Sequence, residues 1–458
     1  MRVNIHNLYS IRRIFWVCLF CTAAWSNSGA AQETRTITLT DAVGIALEQN
    51  IGLKQSQNEV ELSESAVRME RVRYYPNLSL SLAPEQRYGR GFDLTVGRVE
   101  DERREIIDLV VSSRIDFGFE RAASYKAAGL NLNVSRENLA QKRQRIVFET
   151  AVRFLHMDLA AELIGIEDKN LRAQRQRLLR IESLWEEGRR ARADVLQQQA
   201  AVAEAELRLL KVNRKYESGQ LRLKQMLNLS VDSVIQFPSA TSGMERNYVP
   251  YDPGQVIGDA FTGRSDIRAQ QQRLAARKAL VRGAKAGHWP DLSLFMSAGT
   301  DYSSLEQPSG FSNQFFDENL TARIGLVMTF PIFDRFQTRH NVARARVREK
   351  NEELNLEELR QKMTFGLRQA LLDYDMGIKQ LQVAKVREKF SNEALAAVDT
   401  RYELGAATLA ALSQAQANYV EAAGGLTEAR YRLALQHLSV EYYRGHIVQA
   451  VASFASGG

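Results

Sequence analysis

Cysteine is almost absent: the 458 residues hold two, Cys18 and Cys21, and none follows. Both lie in an N-terminal stretch where Arg2, Arg12 and Arg13 precede an apolar run, Ile14 to Trp25, and then small residues around Ser28-Gly29-Ala30-Ala31. That is the charged, apolar and small-residue order of a secretory signal, so residues 1–31 are expected to be a signal peptide cut near Ala30 or Ala31. Val17 and Phe20, not small residues, precede the cysteines, which argues against a lipid-attachment signal. The chain after the signal then has no disulfide, thiol nucleophile or thiolate metal site. It also lacks any further apolar run of about 18 residues, which excludes a membrane-spanning helix.

Catalytic constellations are missing too. His156, His288, His340, His437 and His446 are scattered without metal-ligand spacing. Tyr88-Gly89-Arg90-Gly91 lacks the strand–glycine–helix context of a phosphate loop. Asp373 and Asp375 stand two apart on a helical stretch and so do not face each other. No enzyme activity, cofactor or metal is expected. The formal charge of +7, from 61 basic and 54 acidic residues interspersed, does not single out nucleic acid as a partner.

Proline is scarce and unevenly placed. The eight are Pro76, Pro84, Pro238, Pro250, Pro253, Pro290, Pro308 and Pro331. The two long gaps between them are rich in Ala, Leu, Glu, Gln, Lys and Arg, and proline is the residue that breaks helices. Long helices are therefore expected over about 121–184 and 339–402, each on the order of 95 Å at ~1.5 Å per residue.

What is present is a repeat. Pro76 matches Pro290 and Val67-Arg68 matches Val281-Arg282 at an offset of 214. The offset slips to 218 at Asp116/Asp334 and Arg121/Arg339, then to 217 at Gly188/Gly405 and Gln199-Ala200/Gln416-Ala417. The chain reads as a tandem duplication, 32–250 and 251–446, followed by a C-terminal tail, 447–458. Each half reads helix, strand, loop, strand, long helix, turn, helix. Ser230–Tyr251 joins the halves. Leu412, Tyr419, Leu426, Leu433 and Val440 recur every seven residues, as do Val195, Val202, Leu209, Tyr216 and Leu223. With alanines between, they form coiled-coil seams that close each half as an antiparallel hairpin.

The strands, about 76–84 and 106–117 in the first half and 290–299 and 320–330 in the second, alternate strictly. Leu78, Leu80, Leu82, Leu109, Leu292, Leu294, Ile324 and Leu326 fall on apolar faces, with serines and full charges opposite. Apolar-out and polar-in at period two is the pattern of a membrane barrel with a wet lumen. A soluble sheet packed on a core alternates in the same way. Four strands cannot close a wet barrel, and open edges are not tolerated in lipid. If the strands meet a membrane, several copies must complete one barrel.

The signal, the duplication, the Pro-x-Leu-Ser-Leu strands (Pro76–Leu80, Pro290–Leu294) and the helical turns Trp185-Glu-Glu-Gly188 and Tyr402-Glu-Leu-Gly405 together resemble the TolC family of outer-membrane efflux channels. The resemblance covers nearly all of the chain after the signal. It implies a mixed fold: a transmembrane β-barrel completed by a homotrimer, four strands per chain, above a periplasmic α-helical coiled-coil barrel. It further implies an exit channel of a tripartite efflux pump or type I secretion system, partnered by a periplasmic adaptor and an inner-membrane pump. The eight apolar strand residues would face outer-membrane lipid. The loops 85–105 and 301–319 would lie outside the cell. Asp194, Tyr402 and Gln414 would be gate residues, with a hydrogen bond between Asp194 and Tyr402. Gly188, Arg189, Arg190 and Gly405 would form the turns that meet the adaptor. Ala407, Ala411 and Gln414 stand where the family's charged constriction is expected, which puts that constriction in doubt. The competing reading, a periplasmic adaptor or coiled-coil structural protein, explains the signal and the hairpins but not four amphipathic strands.

Overall fold

A computed structural model describes residues 35–93, 97–239, 248–304 and 309–455. The expected signal peptide lies outside the described residues. A two-residue strand, β1 (Arg35–Thr36), leads into α1 (Leu39–Gln49). Thr38 and Asp41 start this helix as a reciprocal pair: the Thr38 hydroxyl accepts from the Asp41 N–H and the Asp41 carboxylate from the Thr38 N–H. Asn50 then caps α2 (Ile51–Val72), accepting from the Leu53 N–H at 3.2 Å. Next come β2 (Asn77–Asp93), β3 (Arg98–Asp116), α3 (Phe119–Glu186) and α4 (Arg192–Met226). A connector carrying β4 (Ile235–Gln236) leads to the second half. That half holds α5 (Pro253–Gly263), α6 (Ser265–Ala286), β5 (Asp291–Ser303), α7 (Phe311–Asn313) with a following π-helical turn (Gln314–Glu318), β6 (Thr321–Thr329), α8 (Gln337–Glu403) and α9 (Leu409–Arg444). A last helix, α10 (Ile447–Ala455), follows.

The halves match in length as well as order. α1 and α5 have 11 residues each, α2 and α6 have 22, α3 and α8 have 68 and 67, and α4 and α9 have 35 and 36. Absence of proline lets α3 and α8 run unbroken, about 100 Å at 1.5 Å per residue. α6 lies between them, with Arg268 bidentate on Glu137 of α3 and Gln270 donating to Glu352 of α8 at 2.7 Å. Among the described residues no helix is long and apolar enough to cross a membrane.

All four long strands join one antiparallel sheet in the order β2-β3-β5-β6, which leaves β2 and β6 as its edges. The first hairpin is longer than the apolar alternation indicates. Its ladder continues past Pro84, paired with Ile107, to Asp93 opposite Arg98. Proline is tolerated there because β2 is an edge strand. Beyond it, backbone pairing persists while the side chains turn polar, so much of the expected loop 85–105 is a β-ribbon. β5 and β6 fall close to their expected bounds.

The largest core surrounds the middle of α3. Phe154, Leu155 and Met157 pack there with Ile37, Leu227, Tyr431 and Leu438. The expected tail, 447–458, is in its described part a core element: Ile447, Val451 and Phe454 of α10 are buried in this cluster. Nine residues with one strongly apolar face are enough to dock once that face meets α1, α3 and α9. β1 and β4 pair in parallel beside it, which ties the start of the first half to the connector.

Candidate functional site

Two regions carry the residues singled out from the sequence: the sheet and the far ends of the helical hairpins. In an antiparallel pair, directly opposed residues project to the same face. Leu78, Leu80 and Leu82 oppose Ser113, Val111 and Leu109; Leu109 opposes Thr300; Leu292, Leu294 and Met296 oppose Met328, Leu326 and Ile324. The register runs without a bulge, so all eight predicted apolar residues share one face. On a single chain that face is bare: Leu78 is 78% exposed and Ile324 74%. The other face is polar and paired within itself. Ser79 and Ser112 hydroxyls meet at 2.8 Å, and Arg114 donates to Asp116 at 2.7 Å and to Ser293 at 3.0 Å. Phe295 interrupts it, its ring lying where a side chain at Gly325 would stand, 2.7 Å from the position of a Cβ there.

At the other end, α3 and α8 terminate alike. Gly188 and Gly405 adopt φ of +76° and +71°. The Arg189 N–H donates to the Leu184 carbonyl and the Gly188 N–H to that of Trp185; the Ala406 N–H donates to Arg401 and the Gly405 N–H to Tyr402. Both are Schellman ends, which satisfy the last carbonyls through one left-handed residue. The helices that follow divide one capping device between them. Thr408 caps α9 by accepting from the Ala411 N–H at 3.2 Å. Ala191, its counterpart, offers α4 no side chain, and instead Asp194 places a carboxylate in the first turn.

Asp194 and Tyr402 are brought together, but not by the expected hydrogen bond. Arg190 stands between them. Its guanidinium lies 3.7 Å from the Asp194 carboxylate and 4.8 Å from the centre of the Tyr402 ring. The Tyr402 hydroxyl is buried without a hydrogen-bond partner. Arg190 lies in the turn two residues before α4 begins, and its long side chain reaches both groups. A second link joins the hairpins nearby, Arg180 to Glu403 at 2.9 Å. Gln414 is exposed and donates along its own helix to Asn418 at 2.9 Å. Arg189, also exposed, pairs with Glu187 at 3.2 Å.

Sequence reasoning missed a polar stripe on α3 that leads to this end. Asn170 accepts from Gln416 of α9 at 3.4 Å, and Gln174 accepts from Gln198 of α4 at 2.7 Å, all four buried. Arg177 follows one turn on. Burial pulls its guanidinium below the ordinary range, against the opposing pull of Asp399 and Tyr402. The available signal was the spacing: 170, 174, 177 and 181 follow the 4-3-4 step of a helix seam, with polar residues at the first three.

Residues 42–229 and 256–445 each match the sequence profile of the outer membrane efflux protein family. The chain is 24% identical over 393 residues to the pyoverdine export outer membrane protein OpmQ of Pseudomonas putida, covering 84% of this chain and 77% of that one. It is 26% identical over 407 residues to the outer membrane protein OprJ of Pseudomonas aeruginosa, covering 83% and 81%. Among solved structures, the CmeC outer membrane channel of Campylobacter jejuni superposes with a TM-score of 0.79 at 16% identity, covering 92% of this chain and 89% of that one.

Proposed function

The chain belongs to the outer membrane efflux protein family, and we propose that it forms the passive outer-membrane exit of a pump whose periplasmic adaptor docks on the Gly188 and Gly405 turns. The protein resides in the outer membrane and extends into the periplasm; it is a conduit, not an enzyme. It acts as a trimeric channel together with other pump components.

One observation supports this reading above the rest: a four-stranded sheet, bare and apolar on one face, polar on the other, with both edges unpaired in the single chain. Joining β6 of one copy to β2 of the next removes every edge after three copies and yields twelve strands around a water-filled lumen. Serines, Arg114 and Asp116 then line water, and Leu78, Leu80 and Leu82 meet hydrocarbon. The helical hairpins carry the passage onward and narrow it at the tips. There Arg190 holds the first hairpin against the second through Tyr402, and neutral Gln414 replaces a charged ring. No residue of this passage supplies energy, so the drive comes from the inner-membrane partner.

The cysteine-free chain after residue 31 makes the test direct. Single cysteines at Ser79 and Leu80, neighbours on opposite faces, are exposed to a membrane-impermeant maleimide and to a lipid-soluble one in proteoliposomes. Position 79 should react with the first and position 80 only with the second. The reverse pattern would overturn the face assignment. A cysteine at Arg189 should crosslink to the adaptor.

A further inference from the structure

The long helices stand in four columns. α4 ends against the start of α2, where the Asn50 side chain donates to the Met226 carbonyl at 3.4 Å. α9 ends against the start of α6, where Arg264 donates to the Tyr442 carbonyl at 3.3 Å. Side-chain contacts join the columns in one order. Below the core, Gln198 of α4 meets Gln174 of α3, Gln416 of α9 meets Asn170 of α3, and Arg387 of α8 meets Glu421 of α9. Above it the order repeats: Ser63 of α2 with Ser135 of α3, Arg268 of α6 with Glu137 of α3, and Gln270 of α6 with Glu352 of α8. The row therefore ends in α4 and α2 on one side and in α8 on the other.

Each end column carries a second apolar stripe that the single chain leaves bare. On α8, Leu367, Leu371 and Tyr374 are buried, whereas Leu372, Val383, Val386 and Phe390 lie on the opposite side and are exposed, Val383 at 67%. On α4, Val195, Ala205 and Leu223 are buried, whereas Leu207, Leu210 and Leu221 are exposed, Leu210 at 65%. The two stripes share one spacing. Leu207, Leu210 and Leu221 stand 19, 22 and 33 residues above Gly188, and Val386, Val383 and Leu372 stand 19, 22 and 33 above Gly405. Phe390 and exposed Ala203 are both 15 above, a large residue level with a small one. Charge enters both stripes at one level, 26 residues up, as Arg214 and Lys379, with Glu217 one turn higher on α4.

We propose that the α8 stripe seats on α4 of the next copy, level for level, and that Lys379 with Arg214 and Glu217 of that copy forms a charged layer that fixes the register of the seam. The proposal rests on the trimeric reading and adds to it which side chains meet. α8 follows the edge strand β6 and α2 precedes the edge strand β2, so joining β6 to β2 of the next copy sets α8 beside the α2 and α4 column of that copy. Antiparallel helices pack knobs into holes when apolar residues recur at matched levels. The exposed stripes satisfy that from Leu372 with Leu221 down to Phe390 with Ala203. An apolar seam alone would tolerate a slip of one heptad. A single polar layer in such a seam specifies register at some cost in stability. Glu217 is the carboxylate that balances the two cations at the layer, and a slip would leave Lys379 facing apolar residues.

The test uses the full chain in outer membranes, where the region after residue 31 holds no cysteine of its own. Val383→Cys with Leu210→Cys should form disulfides between copies under mild oxidation and give covalent trimers on a denaturing gel, as should Val386→Cys with Leu207→Cys. Val383→Cys with Ala203→Cys, one heptad out of level, should give at least about tenfold less. Lys379→Leu with Arg214→Leu should keep trimer mass in detergent yet narrow that difference to about threefold or less. Glu217→Gln should narrow it as well, and decides the matter should the double variant fail to assemble. Preferential linking of the out-of-level pair overturns the register, and an unchanged difference in the charge variants overturns the role of the layer. Trimer mass without linking at 383 and 210 overturns the seam while the trimer stands, as does linking of these cysteines to the adaptor in place of each other. Monomer mass for the wild type would remove the trimeric reading itself.

Discussion

The Arg190 guanidinium lies 4.8 Å from the centre of the Tyr402 ring, across the gap between two helical hairpins. The ring, not the hydroxyl, makes this contact. A cation over an aromatic face stabilises by about 0.5–2 kcal/mol, and the partly exposed pair with Asp194 adds at most about 1 kcal/mol. Tyr402→Phe should therefore leave single-channel conductance in planar bilayers near wild type. Arg190→Ala and Tyr402→Leu should each raise it. Equal effects of the Phe and Leu variants would show that the hydroxyl matters and that the contact described here does not.

Ile324 opposes Met296 on the apolar face of the sheet. An arginine near mid-membrane costs about 2–4 kcal/mol in a barrel. Ile324→Arg should lower the yield of inserted trimer, measured by outer-membrane fractionation and heat-modifiable mobility. Arg323, its neighbour, projects to the other face, so Arg323→Ile should insert normally.

Gly188 and Gly405 are left-handed, yet a Cβ at either position would meet no atom within 4 Å. The cost of Gly188→Ala or Gly405→Ala is thus conformational, about 1 kcal/mol each. It should appear as local fraying of the tips in hydrogen exchange and as weaker adaptor crosslinking, with no change in the melting of the trimer.

Between β6 and α8 two residues other than glycine are left-handed, Arg335 at φ +53° and Phe336 at +63°. The Asp334 carboxylate holds the turn, accepting from the Thr338 N–H at 2.7 Å. Hydrogen bonds from Thr338 also keep that carboxyl below its usual range. Arg335→Asn should relieve strain and raise trimer stability by about 0.5 kcal/mol. A fall in melting temperature would mean that the arginine makes a contact in the assembly that outweighs the strain.

Tyr374 is buried and donates to the Val249 carbonyl at 3.1 Å. Burial pushes its hydroxyl up from 10.0 to about 12, helped by Tyr248, Asp375 and Glu441. The folded state therefore keeps a proton that the unfolded chain gives up first. This contribution is complete below pH 10 and is lost as pH rises from about 10 through about 12. Tyr374→Phe should flatten that alkaline limb and cost about 1 kcal/mol at neutral pH, measured by denaturant titration across pH.

Much of this architecture was legible because proline and the heptads speak locally. The expected helices, 121–184 and 339–402, fall within two residues of α3 and α8. The strand faces were legible because period two leaves no choice of side once a register exists. What escaped was set by non-local geometry. Nothing in residues 85–93 announces a strand; their pairing with 98–106 does. The apolar face of α10 shows as a helix surface, but only its docking distinguishes it from a tail. Asp194 and Tyr402 were identified, whereas the arginine between them was assigned to the adaptor, because which side chain fills a gap depends on the helix spacing at that point.

The matched lengths of α3 with α8 and α4 with α9 have an evolutionary corollary. Adding one heptad to α8 alone would carry Gly405 about 10 Å past Gly188, since each residue advances the axis by about 1.5 Å. The Arg190–Tyr402 and Arg180–Glu403 contacts would then lose their partners together. Insertions and deletions below the central core are viable only when four helices change in concert. Depth of reach into the periplasm is thus an inherited quantity that moves in whole steps and must be rewritten at four places at once.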